Sequence, residues 1–206
     1  MKLHEDGLWI PDIMTGPAAY LRRASTLPAH CDRIRSHRCC IQAGGHIGIY
    51  PRYLAQRFGR VYTFEPEREN FACLARNADA ENIFAARAFL GDRHGGKALQ
   101  RHSKSSGGHQ ITVAAAGAVP VFCIDDLALP DLDGLFLDVE GYEWWILRGA
   151  MRTLDKCRPL LVLEENRQLV KFGRAFGDLE KLLAPLGYRL IERVDEDIVL
   201  QAVKRP

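Results

Sequence analysis

The chain has 206 residues, 28 Lys+Arg against 26 Asp+Glu, and a formal charge of +2. Its 47% hydrophobic and 26% charged content is ordinary for a globular protein and excludes disorder, collagen or coiled coil as a description of the whole. A chain this long forms one domain and buries roughly 70% of its unfolded surface, so its core needs no staples. So small a net charge gives no bulk electrostatic case for nucleic acid, which is not expected as a partner.

The six cysteines (Cys31, Cys39, Cys40, Cys73, Cys123, Cys157) form no CxxC pair, so reduced thiols and a cytoplasmic location are expected. The N-terminus has no apolar run of the kind a secretory leader carries. The longest mostly apolar stretch, 111–124, contains Gly117 and Pro120 and is too short to span a bilayer. A soluble protein is the expectation.

Residues 1–38 hold Trp9, Pro11, Pro17 and an Arg-rich stretch, and read as a lid-like N-terminal segment ahead of a domain over 39–206. From there short apolar runs alternate with longer amphipathic ones, the pattern of an α/β fold with a mostly parallel sheet. Strands are expected at 39–43, 61–64, 83–89, 135–139 and 160–163, each short and mostly apolar rather than alternating, as strands buried on both faces are. Helices are expected at 51–58, 66–77, 142–156 and 176–183; the second starts with Pro66 after an acid. The third carries Tyr142, Trp145, Ile146, Gly149 and Ala150 at helical spacing. Trp144 and Trp145 are adjacent, so they divide between core and rim.

Two strand-like runs at 188–194 and 198–203, separated by Asp195-Glu196-Asp197, predict a closing β-hairpin. The segment 91–110 stands outside this rhythm. It holds Arg93, His94, Lys97, Arg101, His102, Lys104 and His109 against a single acid, Asp92. It reads as a solvated insertion, or as a surface for an anionic substrate with His102 or His109 as a conceivable base.

Gln42-Ala43-Gly44-Gly45-His46-Ile47-Gly48 ends the first of these strands. Glycines there allow a sharp turn and close approach to a ligand, and the next helix offers its N-terminus. Glu65 ends the second strand, where a nucleotide-binding α/β unit places an acid to accept from ribose hydroxyls. The plainer reading is a glycine turn and a helix-capping acid. Asp138 and Glu140 flank the end of one central strand, and Glu164, Glu165 and Asn166 end its neighbour. Ligands of open α/β sheets sit outside such carboxyl ends, and converging carboxylates there require a cation, a hydrogen-bonding ligand or a shared proton.

Six segments in order, IQAGGHIGIYP, VYTFEPEREN, IDDL, LFLDVEGYEWWILRGA, RPLLVLEEN and LGYRL, resemble the FkbM-type methyltransferases over about residues 39–203. The run Asp138 to Glu143 followed by Leu147-Arg148-Gly149-Ala150 is the most specific part. The resemblance implies a Rossmann-like class I methyltransferase fold, with six parallel strands and one antiparallel strand supplied by the terminal hairpin. It implies S-adenosylmethionine as cofactor, with Gln42, Gly44, Gly45, His46, Gly48, Glu65 and Asp138 around it. The family usually has an acid where Gln42 stands and an Asn where His46 stands.

The expected reaction is O-methylation of a sugar, lipid or small-metabolite hydroxyl, with Asp138, Glu140 and Glu164 orienting the acceptor and taking its proton. A second version adds Mg²⁺ on Asp138, Glu164 or Glu165, and Asn166. The alternatives are a cofactor-binding protein without turnover, motivated by Gln42, and a nicotinamide oxidoreductase, disfavoured because the glycines are not spaced G-x-G-x-x-G.

Overall fold

The computed structural model describes residues 1–100, 110–113, 119–164 and 168–203. A two-stranded ribbon, β1 (Lys2–Leu3) and β2 (Trp9–Ile10), leads into two short helices, α1 (Ala18–Ala24) and α2 (Leu27–Cys31). Then come β3 (Cys40–Ala43), α3 (Ile49–Leu54), β4 (Val61–Phe64), α4 (Arg68–Asn77) and β5 (Ile83–Ala86). A small sheet follows, built from β6 (Phe89–Leu90), β7 (Gly95–Gln100), β8 (Gln110–Val113) and β9 (Val119–Phe122). The chain continues through β10 (Gly134–Leu137), α5 (Glu143–Arg148), α6 (Met151–Cys157), β11 (Leu160–Glu164), α7 (Phe176–Leu183), β12 (Tyr188–Val194) and β13 (Asp197–Ala202).

The main sheet has seven strands in the order β12-β13-β11-β10-β3-β4-β5. β13 is antiparallel to both neighbours and the other six strands share one direction, so the terminal hairpin supplies the antiparallel strand as expected. Every residue of β3, β10 and β11 is buried, which is why these strands lack polar alternation. Ile41, Leu135, Leu163, Ile146, Leu154 and Leu183 pack on one face. On the other face Cys40, Phe136 and Val162 meet Ile47, Leu54 and Phe58, together with Leu8, Ile10, Met14, Leu27 and Cys31 from the N-terminal segment. That segment is therefore built into the core. All six cysteines are free, and among the described residues no helix is long and apolar enough to cross a membrane.

The helix expected at 51–58 spans Ile49–Leu54 and the strand expected at 135–139 spans Gly134–Leu137, and three further elements differ for identifiable reasons. The strand expected at 83–89 ends at Ala86, because its partner β4 ends at Phe64, directly opposite; Phe89 and Leu90 then join the small sheet. The helix expected at 66–77 begins at Arg68, where the Glu67 carboxylate accepts from the Glu69 and Asn70 amides at 2.7 Å each. The helix expected at 142–156 is broken into α5 and α6. The Asp125 amide donates to the Gly149 carbonyl, and the Asp125 carboxylate accepts from the Thr153 amide at 2.7 Å and the Arg152 amide at 3.1 Å. Asp125 thus starts α6 as a new helix, taking the groups a continuous helix would pair internally.

Candidate active site

The glycine loop leaves β3 and turns sharply, with φ of 84° at Gly44 and 91° at Gly48. Close approach governs Gly44: a Cβ there would lie 1.8 Å from the Asp138 carbonyl oxygen. The sequence reading set a ligand against this glycine. The structure sets the neighbouring strand end there, so the glycine lets β3 and β10 run side by side to their ends.

Gln42 is buried inside the same turn. Its Oε1 accepts from the Thr63 hydroxyl at 2.7 Å, and its Nε2 donates to the Gly44 carbonyl at 2.9 Å and the Ala43 carbonyl at 3.2 Å. Where the family's acid would carry charge, this chain has an amide that braces the loop from within. His46 takes a left-handed backbone (φ 46°), donates its amide to Glu65 Oε2 at 2.8 Å, and stacks its ring on Tyr20 of α1 at 4.2 Å between centroids.

Glu65 ends β4 almost fully buried, accepting from the His46 amide and, at 2.8 Å, from the Glu67 amide. Burial pushes its carboxyl up to about 7 despite these two amides and a further hydrogen bond from the Asn70 side chain. Such a carboxyl has capacity for further donors and a strong reason to gain them.

Across the sheet a second cluster gathers at the ends of β10 and β11. Asp138 and Glu164 are hydrogen-bonded to each other, and burial raises both above the usual carboxylate range, with Asp138 adding to the rise at Glu164. Arg23 of α1 reaches between them, 2.8 Å from Glu164 Oε1 and 3.4 Å from Asp138 Oδ2. Asp197 lies 3.9 Å from the same guanidinium and 3.4 Å from His30, which is fully buried on α2. A narrow cavity beneath is lined by Leu27, Gln42, Tyr50, Asp138 and Asp197, among others.

The turn from β10 into α5 passes through Glu140 (φ 57°) and Gly141 (φ 97°), both left-handed. Glu143, 1% exposed, accepts from the Gly141 and Val139 amides at 3.3 and 3.4 Å. Its Oε2 has no hydrogen-bond partner among the described residues, and burial pushes this carboxyl up to about 7. Glu143 thus holds the strained turn that presents Asp138 and Glu140.

The sequence-predicted residues therefore fall into two groups. Gln42, Gly44, Gly45, His46, Gly48 and Glu65 surround the glycine loop, while Asp138, Glu140 and Glu164 meet at the central strand ends. Glu165, Asn166, Arg101, His102, Lys104 and His109 lie outside the described residues. Sequence reasoning missed Tyr20, Arg23, His30 and Glu143. The first three sit in a segment with no readable period, and Glu143 reads on the page as an ordinary first-turn acid.

The Methyltransferase FkbM domain family matches residues 42–190. No curated protein matches the chain in sequence. Among solved structures, an FkbM methyltransferase from Methylobacillus flagellatus KT is 20% identical with a TM-score of 0.51; the match covers 80% of this chain and 43% of that one. A precorrin 8w decarboxylase from Methanobacterium thermoautotrophicum aligns over 98% of this chain and all of its own length, at 14% identity and a TM-score of 0.57. The N-methyltransferase NodS from Bradyrhizobium japonicum, in complex with S-adenosyl-L-homocysteine, aligns over 96% of this chain and 91% of its own, at 13% identity and a TM-score of 0.52. These likenesses share the class I methyltransferase fold.

The donor set here fits the family's cofactor. S-adenosylmethionine carries a ribose diol that a buried acceptor such as Glu65 can bind, and cationic groups that carboxyls held above their ordinary range, such as Asp138 and Glu164, favour. The chain belongs to the FkbM family of S-adenosylmethionine-dependent methyltransferases.

Proposed function

We propose that this chain methylates a hydroxyl oxygen of a sugar, lipid or other small metabolite. The observation that carries the proposal is the hydrogen-bonded pair Asp138–Glu164, set at the ends of adjacent central strands with Arg23 as its cation. S-adenosylmethionine supplies a methyl group already activated on a sulfonium, which leaves the protein the tasks of alignment and proton removal.

Glu65 would hold the ribose, and the loop from Gly44 to Gly48, braced by Gln42, would pass beside the rest of the cofactor. Burial and neighbouring carboxylates raise both carboxyls, so the Asp138–Glu164 pair holds a proton in common. In this reading Asp138, at the end of β10, accepts the acceptor hydroxyl's proton as the oxygen is methylated. In this reading the N-terminal segment acts as a lid, with Tyr20 over His46 and Arg23 over the carboxyls. Gln42 supports a second reading, cofactor binding without turnover, because it brings no charge to the loop.

Incubation with methyl-labelled S-adenosylmethionine and a pool of hydroxylated metabolites separates the two. O-methylation predicts products heavier by one methylene unit, with the label on oxygen by fragmentation. Cofactor binding by calorimetry with no labelled product selects the second reading, and label on nitrogen or carbon contradicts O-methylation.

A further inference from the structure

Three side chains of ligand type meet at the small sheet, apart from the carboxyl cluster. His94 lies in the turn between β6 and β7. Cys123 and Asp126 are three residues apart, where β9 passes into the 3-10 turn Ile124–Leu127. One ring nitrogen of His94, the Cys123 sulfur and one Asp126 carboxylate oxygen all lie within 4.8 Å of one another. His94 Nε2 is 2.8 Å from Asp126 Oδ2, while Asp126 Oδ1 is held 3.1 Å from Arg152 Nη2. Cys123 is buried, whereas His94 and Asp126 face solvent.

We propose that His94, Cys123 and Asp126 bind a divalent transition-metal ion of the zinc type, with water completing the tetrahedron. Thiolate, imidazole and carboxylate together form the donor set such an ion prefers, whereas Mg²⁺ and Ca²⁺ take oxygen alone. Tetrahedral zinc, with bonds of about 2.0–2.3 Å, sets its ligand atoms roughly 3.3–3.8 Å apart. The present spacing reaches that arrangement when the exposed His94 and Asp126 side chains separate slightly and turn toward the sulfur. Arg152, fixing the outer carboxylate oxygen, leaves Oδ2 as the inward ligand and orients it.

The ion would tie the β6–β7 turn to the turn that starts α6. It would thereby steady β7, whose Lys97 contacts the Tyr142 hydroxyl and lies over its ring, just past the Glu140–Gly141 turn. Binding releases the Cys123 proton to solvent, so affinity rises with pH.

The test is titration of the reduced full chain with Zn²⁺ against a chromophoric chelator, and with Co²⁺ read by thiolate-to-cobalt charge-transfer absorption. One equivalent of Zn²⁺ should bind and the absorption band should appear. Cys123→Ser should abolish the band, and His94→Ala, an exposed change that leaves the core alone, should weaken Zn²⁺ binding at least about tenfold. Cys157→Ser, away from the cluster, should change neither. No band in the wild-type chain, a band that survives Cys123→Ser, loss of the band in Cys157→Ser, or unchanged Zn²⁺ affinity in His94→Ala would each overturn the proposal.

Discussion

The two halves of the candidate site solve the same problem differently. Each must keep carboxyl groups largely out of water at strand ends. On the β4 side Glu65 is answered by local groups, the amides of His46 and Glu67 and the side chain of Asn70 in the helix that follows, all supplied within about twenty residues of it. On the β10–β11 side Asp138 and Glu164 are answered by a side chain, Arg23, from a helix more than a hundred residues earlier in the chain. Local donors come with the motif and the helix after it, whereas a partner from a distant segment has to be placed by tertiary packing.

The first way to break this comparison is at the contact joining the halves. Gly44→Val puts a branched side chain where a Cβ already meets the Asp138 carbonyl at 1.8 Å, in a backbone region that β-branched residues avoid. The expected outcome is loss of the folded state, read as absence of a cooperative thermal transition. A normally folded Gly44→Val that merely binds cofactor poorly would return the glycine to the ligand-facing role read from sequence.

Arg23→Ala strikes the second half alone. It leaves the buried Glu164 and the partly buried Asp138 without their cation, and the stability loss should be about 1–3 kcal/mol in denaturant titration. The sign with pH follows from the pair: without Arg23 both carboxyls hold protons more tightly, so the deficit should widen as pH rises and shrink in acid. Glu65→Ala strikes the first half. It should weaken cofactor binding roughly ten- to hundredfold by calorimetry, the loss of about 1.5–3 kcal/mol expected for charge-assisted hydrogen bonds, while the fold persists. Equal cofactor affinity would remove Glu65 from the ribose.

The contrast also explains what could be read before the structure. The buried central strands and the antiparallel hairpin were legible, because strands buried on both faces advertise themselves as apolar runs and the acids at 195–197 mark the final turn; the order of the strands was not. The division of 142–156 into α5 and α6 was not, since its apolar spacing is continuous and the interruption comes from Asp125, a residue of another segment. Glu65 was legible by its place after a strand. Arg23 and His30 were hidden because residues 1–38 carry no period, and Glu143 because its burial depends on the left-handed turn at Glu140 and Gly141.

The smallest expected effect concerns that turn. The fold lifts Glu143 from an ordinary carboxyl value to about 7, so the folded state favours the protonated form. Between pH 4.5 and 7 the unfolded chain gives up this proton first, and the group's contribution to stability falls as pH rises. Glu143→Gln keeps an acceptor oxygen without the charge. Its melting temperature should gain on wild type across that interval and hold the gain above pH 7. A constant difference at all pH values would show that the carboxyl titrates normally.

The central claim is that Asp138 is the proton acceptor rather than a strand-end cap. Asp138→Asn preserves size and most hydrogen bonding while removing charge and basicity. Turnover and cofactor affinity should be measured on one preparation, with methyl-labelled donor and an acceptor found in the pooled assay. The account predicts that kcat falls by about 10²–10⁴ while cofactor affinity changes little. Wild-type turnover per folded molecule, with only a lowered melting temperature, would contradict it.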